Sequence, residues 1–287
     1  MAFPILSRTD ADVFVPDGGS ADRALAALTH LAVAAHQDDV EFMALDGILQ
    51  CFGREDRSFG AVVVTDGAGS PRSGLYAEYP DNRMKEVRRL EQRKAAVLGE
   101  YGLCVQLRHG SRAVRETDRA AVVRDLAGLL AEARPEILYV HNPCDKHDTH
   151  VAVLARTLEA ARSLPDALRP RRMLGCEVWR GLDWMPDSDK VTADVSDHPN
   201  LAAALSGVFD SQVCGGKRYD LAMAGRRMAN ATFFASHGVD QATSLAYFMD
   251  LTPLLRDPDL SLSVYAAACI ARFADEVGDR IRRMEME

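Results

Sequence analysis

No apolar run in the sequence reaches the roughly 18 residues that a membrane-spanning helix requires, which argues against a transmembrane protein. The first residues, MAFPILSRTDADVFVP, lack the basic start and unbroken apolar stretch of a secretory signal, so a cytoplasmic location is expected. The six cysteines, at positions 51, 104, 144, 176, 214 and 269, form no CxxC pair and no regular framework. A chain of 287 residues, 47% of them hydrophobic, can bury a sizeable core without disulfides, so reduced thiols are expected. Positive charge is short as well. A net charge of −8 makes duplex nucleic acid and anionic membranes poor partners. No GxGxxG fingerprint points to a nicotinamide cofactor. Internal repeats, low-complexity tracts and long linkers are absent too, which suggests one domain over 1–287 with a core at about 28–198.

What the sequence does contain is an alternation of short apolar runs and amphipathic stretches. ADRALAAL behind Ser20 reads as a short helix, and HLAVAA (30–35) as a buried strand. VEFMALDGILQCF follows with helical spacing. Further strands are expected at 60–64, 103–109, 136–141, 173–179 and 191–196, with helices at 81–100, from 117 or 118 to 133, and at 151–164. This alternation predicts an α/β fold, a Rossmann-like, mostly parallel sheet with helices on both faces. The region from about 199 to 287 reads as a mostly helical, alanine-rich extension. Ligands of such sheets bind beyond the carboxyl ends of the strands, where the polar loops 36–39, 65–74 and 141–150 fall.

Two of these loops concentrate His and Asp. After the first core strand comes His36-Gln37-Asp38-Asp39, and after EILYVH comes Asp145-Lys146-His147-Asp148-Thr149-His150. Taken separately, each has an ordinary explanation: Asp38 or Asp39 capping a helix, and a histidine pair on a surface turn. Two such clusters at the ends of two parallel strands are harder to explain that way and suggest a metal site. His36, Asp39 and His150 would supply two nitrogens and one oxygen to a catalytic zinc, with a position left open for water. Asp38 would remain free as general base, and His147, if protonated, would steady the oxyanion and then protonate the leaving amine. Iron(II) suits the same donors, because affinity alone does not choose the metal.

AAHQDDVEF followed much later by HDTHVAV resembles the PIG-L/LmbE-like zinc N-deacetylases, whose hallmarks are Ala-His-Pro-Asp-Asp and His-Pro-Asp-His. The resemblance spans roughly residues 30 to 180. It implies a Rossmann-like sheet, zinc held by His36, Asp39 and His150, Asp38 as base and His147 as the electrostatic or acid histidine. Gln37 and Thr149 depart from the family pattern at positions that are not ligands. Asp145 stands where thiol-cofactor members commonly carry a tyrosine, which weakens that assignment. In the loop after the second strand, Arg72 is the candidate for the family's substrate-binding arginine.

Other candidates are read from position alone. Glu177 and Trp179 end the fifth strand and are expected to line the site, Glu177 toward sugar hydroxyls and Trp179 as a stacking face or a core residue. Gly67 and Gly69 read as a turn rather than a phosphate cradle. Asp210, Lys217, Arg218 and Tyr219 read mainly as a solvated turn, with a pocket as the alternative. Cys144 is expected near the site and is a candidate reactive thiol, while His237 suggests only a structural role. The expected activity is removal of an acyl group, acetyl for preference, from a small N-acetylglucosamine-type amino sugar. Its rivals are an amidase acting on a thiol conjugate and a silent metal- or sugar-binding protein. A homo-oligomer is compatible with the family resemblance.

Overall fold

Strands apolar on both sides belong in the interior of a sheet covered on both faces, and the sequence has four of them. In the computed structural model, which describes residues 3–286, β2 (His30–Ala34), β3 (Phe59–Thr65), β4 (Leu103–His109) and β5 (Ile137–His141) form the centre of one sheet. β1 (Asp12–Phe14), β6 (Arg172–Cys176), β7 (Lys190–Asp194) and β8 (Leu245–Asp250) complete it in the order β1-β4-β3-β2-β5-β6-β8-β7. The five strands from β4 to β6 run parallel, whereas β1 pairs antiparallel with β4, and β8 pairs antiparallel with both β6 and β7.

Side chains alternate along each strand between two cores. Leu31 and Val33 of β2 pack on one face with helices α5 (Arg119–Ala133) and α6 (Asp148–Arg162) through Leu126, Leu129, Leu154 and Leu158. Ala32 and Ala34 face the other side, toward α2 (Asp39–Met43), α3 (Leu45–Cys51), α4 (Asp81–Leu98) and α7 (Pro199–Gly207), with Ile48, Ala95, Leu201 and Leu205. Each large aliphatic side chain buried this way contributes about 1.5–3 kcal/mol. The remaining helices are α1 (Ala21–Ala26), α8 (Asp210–Val213), α9 (Tyr219–Phe233), α10 (Thr252–Arg256) and α11 (Leu262–Glu285). No helix among the described residues is long and apolar enough to cross a membrane.

The expected α/β sheet is therefore present, with two strands that the sequence did not signal. β1 is three residues long, and β8 lies in the otherwise helical C-terminal region, where LAYFMD carries no period that separates strand from helix. α9 is fastened over the carboxyl ends of the strands. The buried Arg227 donates from Nη2 to the carbonyls of Glu41 (2.9 Å) and Phe42 (2.7 Å) at the end of α2. Carbonyls at a helix C-terminus favour such a cation.

Candidate active site

From β2 the chain proceeds through β3 to β4 on one side of the sheet, whereas β5 and β6 lie on the other. At such a reversal the loops diverge and leave a crevice beyond the strand ends. The β2–β5 ladder stops at the pair Ala32 and Tyr139. Beyond it the N–H of Ala35 donates to Nε2 of His141 at 2.9 Å, so an imidazole replaces the missing backbone partner. His141 is fully buried, its ring stacked on that of His150 with centroids 3.9 Å apart. In the sequence His141 is only the last residue of EILYVH, and nothing in its neighbours signals this contact.

The crevice brings the two polar loops together. His36 Nδ1 lies 3.2 Å from Asp39 Oδ2 and 3.2 Å from His150 Nε2, and the latter two atoms are 3.3 Å apart. Tetrahedral ligands at the usual zinc distances of about 2.0–2.1 Å lie about 3.3–3.4 Å from one another. Three lone-pair atoms this close repel unless a proton or a cation lies between them. Among the described residues, two overlapping sets offer donor atoms close enough for a metal, His36 with His147 and His150, and Asp39 with His141 and His150. His141 Nε2 is occupied by Ala35, and His147 Nδ1 accepts the Thr149 N–H at 3.2 Å. Asp39 Oδ2 accepts the His36 N–H at 2.8 Å but, unlike an imidazole nitrogen, keeps a further lone pair, so the donors converge most tightly at His36, Asp39 and His150, and this set fits a zinc-sized cation.

The electrostatics agree with that arrangement. Burial alone would raise Asp39, but His150, His36 and His141 around it hold its carboxyl well below the usual range. Burial disfavours a charged His150, yet the carboxylates of Asp39 and Asp145 outweigh it and lift the ring to about 9. Asp145 is the outer support of the cluster. Its Oδ2 lies 3.5 Å from His150 Nδ1 and accepts the Trp179 N–H at 3.0 Å, while Oδ1 accepts the His147 N–H at 2.9 Å. A carboxylate behind a ligating imidazole fixes its tautomer and orientation. An Asp just ahead of a helix that starts with two histidines is a weak signal for this role.

Asp38 sits beside the triangle with φ at +85°, a region that costs an L residue about 1–3 kcal/mol. Its neighbours maintain the strain: the Asp38 N–H donates to Gln92 Oε1 at 3.3 Å, and Arg88 Nη2 donates to the Gln37 carbonyl at 2.5 Å. The same guanidinium lies 3.4 Å from Asp38 Oδ2, a buried oxygen without a hydrogen-bond partner. Burial raises Asp38 well above the ordinary carboxylate range, with Arg88 opposing and Asp39 adding to the rise. Gln37 is buried too, its amide donating to Thr65 O at 3.2 Å and Gln106 Oε1 at 3.1 Å. His147 caps α6. Burial, followed by the neighbouring His150 and His36, pushes it down to about 4.

These groups open into a cavity of about 580 Å³, with His36, Asp38, Asp39 and His147 at its floor. Trp179 lines it as expected, meeting the Tyr219 ring edge-on at 5.9 Å. Three expectations need correction. Arg72 does not line the cavity: it donates to the carbonyls of Tyr79 (2.8 Å) and Ala68 (2.6 Å) and pairs with Asp81 (2.6 Å), closing its own loop. The guanidinium groups that line the cavity belong to Arg88, Arg115 and Arg226. Glu177 is buried outside it, accepting from Leu182 N at 2.7 Å, Asn230 Nδ2 at 2.9 Å and Tyr247 N at 3.3 Å. Cys144 is half-buried away from the cavity, and burial raises its thiol, which makes it less reactive. Lys217 and Tyr219 face the cavity, whereas Arg218 pairs with Asp220 and Asp210 accepts from the Tyr76 hydroxyl. His237 is exposed.

Comparison with known proteins follows this geometry. Residues 31–161 match the PIG-L family model, GlcNAc-PI de-N-acetylase. No curated protein matches the chain by sequence. Among solved structures, GalB, the 4-carboxy-2-hydroxymuconate hydratase from Pseudomonas putida KT2440, is similar at a TM-score of 0.61 and 17% identity, covering 78% of this chain and 96% of that one. The N,N'-diacetylchitobiose deacetylase from Pyrococcus horikoshii reaches 0.61 at 15% identity, covering 79% and 85%. A zinc-inhibited form of the teicoplanin deacetylase Orf2 reaches 0.52 at 15%, covering 77% and 98%. At these identities the structures establish the shared fold. The match to the PIG-L family model thus runs from β2 through α6, the segment that carries both His/Asp loops.

Proposed function

We propose that the protein is a zinc-dependent hydrolase that removes an N-acyl group, acetyl in the simplest case, from a small N-acetylglucosamine-type amino sugar or its conjugate. The observation that carries this reading is the triangle of His36, Asp39 and His150 beside a strained, unsatisfied Asp38 at the floor of a cavity. Zinc bound there would polarise the acyl carbonyl and make water a better nucleophile. Asp38 accepts the proton of the attacking water, and its raised affinity for protons suits a base that must later release one. His147 contributes a donor rather than a charge. With Nδ1 accepting from Thr149, its neutral ring carries the proton on Nε2, placed to hydrogen-bond a developing oxyanion. The two deacetylases among the similar structures, one of them in a zinc-inhibited form, support the metal and the reaction class.

The test is metal analysis together with acetate release. Wild type should hold about one zinc per chain and the His36→Ala/His150→Ala variant none. Asp38→Ala should keep its zinc while acetate release from N-acetyl sugars falls by about 10²–10⁴-fold. Metal in neither protein after zinc is supplied overturns the mechanism. A second reading, addition of water to an unsaturated acid, is favoured by the hydratase relative and by the cations of the cavity wall. Wild type that binds zinc but releases no acetate would favour it.

A further inference from the structure

Resting on the N-deacylase reading, a further property follows from the charge of the cavity wall. In a chain with 42 acidic and 34 basic residues, the lining runs the other way. Arg88, Arg115, Lys217 and Arg226 face the cavity, against only Asp38 and Asp39. Asp39 is committed to its histidines, and Asp38 faces only the Arg88 guanidinium, 3.4 Å away. Arg115, Lys217 and Arg226 have no ion-pair partner among the described residues, and Arg115 Nε is buried without a hydrogen bond. Arg226 is held by the Val178 carbonyl, and the nearby Glu177 is saturated by other donors. Lys217 Nζ stands 5.3 Å from the Trp179 ring centroid, and Lys146 Nζ extends the positive rim 5.9 Å from the same ring. Unpaired cations in a concave, partly dry wall repel one another and concentrate anions.

We propose that Arg115, Lys217 and Arg226 form a subsite for an anionic group, a carboxylate or a phosphate, on the part of the substrate that keeps the amine. The substrate is then an acidic N-acyl amino-sugar derivative rather than a neutral glycan. A charge-assisted contact made only by the acid would favour it over its neutral counterpart about tenfold or more.

Binding of three probes to the zinc-loaded protein tests this: the neutral methyl N-acetylglucosaminide, N-acetylglucosamine 1-phosphate and N-acetylmuramic acid. Calorimetry at low and high ionic strength should show at least one acid binding about tenfold tighter than the neutral glycoside, with only the acid weakened by salt. Preference for the phosphate or for the carboxylate identifies which anion the subsite takes. Lys217→Gln and Arg115→Gln, neither of which breaks an ion pair, should each cut the preference about three- to tenfold with an unchanged circular dichroism spectrum. Equal binding of all probes, binding of none, or a preference that survives in the Lys217→Gln/Arg115→Gln double variant overturns the subsite. Acetate release from the neutral probe with no acid preference leaves the deacetylase reading standing alone. An acid preference lost in the variants, without acetate release from any probe, leaves the subsite and removes the deacetylase reading.

Discussion

Replacing Asp145 with asparagine tests whether the metal cluster depends on its outer support. The carboxylate is buried and serves three groups: His150 Nδ1 at 3.5 Å, the Trp179 N–H at 3.0 Å and the His147 N–H at 2.9 Å. The two N–H groups donate to separate oxygens, while His150 Nδ1 lies at ion-pair distance without a hydrogen bond. An amide of the same shape keeps one accepting oxygen and presents its own N–H groups where the other oxygen was, so one donor meets a donor whichever way it flips. Loss of such a support typically lowers metal affinity about 10–100-fold, or about 1.4–2.7 kcal/mol. Zinc affinity would be measured by competition with a fluorescent chelator, with acetate release at saturating zinc measured in parallel. The expected result is weaker zinc binding by that factor, with turnover largely restored at saturation. Zinc binding within about threefold of wild type would refute the argument that Asp145 orients His150.

Three further outcomes follow. Gly67 has φ at +72°, and a Cβ there would lie 2.4 Å from Gln37 Oε1 and 3.0 Å from Arg88 Cδ, whereas Gly69 meets nothing within 4 Å. Gly67→Ala should therefore cost about 1–3 kcal/mol in urea denaturation and lower turnover by disturbing the props of Asp38, while Gly69→Ala should do neither. Asp125 is buried, which alone would raise it, but His109 and both donors of Ser7 outweigh burial and hold it low. A depressed carboxyl stabilises the fold above its unfolded value near pH 3.9 and loses that contribution as pH falls through the folded value. Asp125→Asn should thus flatten the acid limb of a Tm-against-pH curve, and a limb as steep as wild type would remove this explanation. Cys144, with its raised thiol, should react with iodoacetamide at pH 7 more slowly than a free cysteine, as mass spectrometry of the modified peptide would show.

The central strands were legible because HLAVAA and EILYVH are apolar on both faces, and the His/Asp loops were legible because they follow such strands directly. Position along the chain was enough to select His36, Asp38, Asp39, His147 and His150, since a loop at a strand mouth has few directions to point. Arg72 was misplaced because a long side chain in a loop has many carbonyls within reach, and three oxygens of its own loop claim it. Glu177 failed for the opposite reason. Strand alternation would put Glu177 and Trp179 on one face, but β6 ends at Cys176, and in the irregular chain beyond it Trp179 faces the cavity while Glu177 ties β6 to β8 and α9. Lys217, Tyr219 and Arg226 come from the C-terminal third, and they reach the site through the long-range fastening of α9 by Arg226, Arg227 and Asn230. That long-range contact leaves no periodic trace in the sequence.

The gap between β2 and β5 also bears on how the chain folds. His36 and His150 are 114 residues apart, and they meet only after two strands with an entire sheet edge between them in sequence have paired. An ion cannot collect these ligands in the unfolded chain, because the closure of so long a loop precedes any gain from binding. The metal would therefore act as a late latch rather than a nucleus, leaving the rate of folding unchanged. It would slow unfolding instead, adding about 4 kcal/mol when present at a thousand times its dissociation constant.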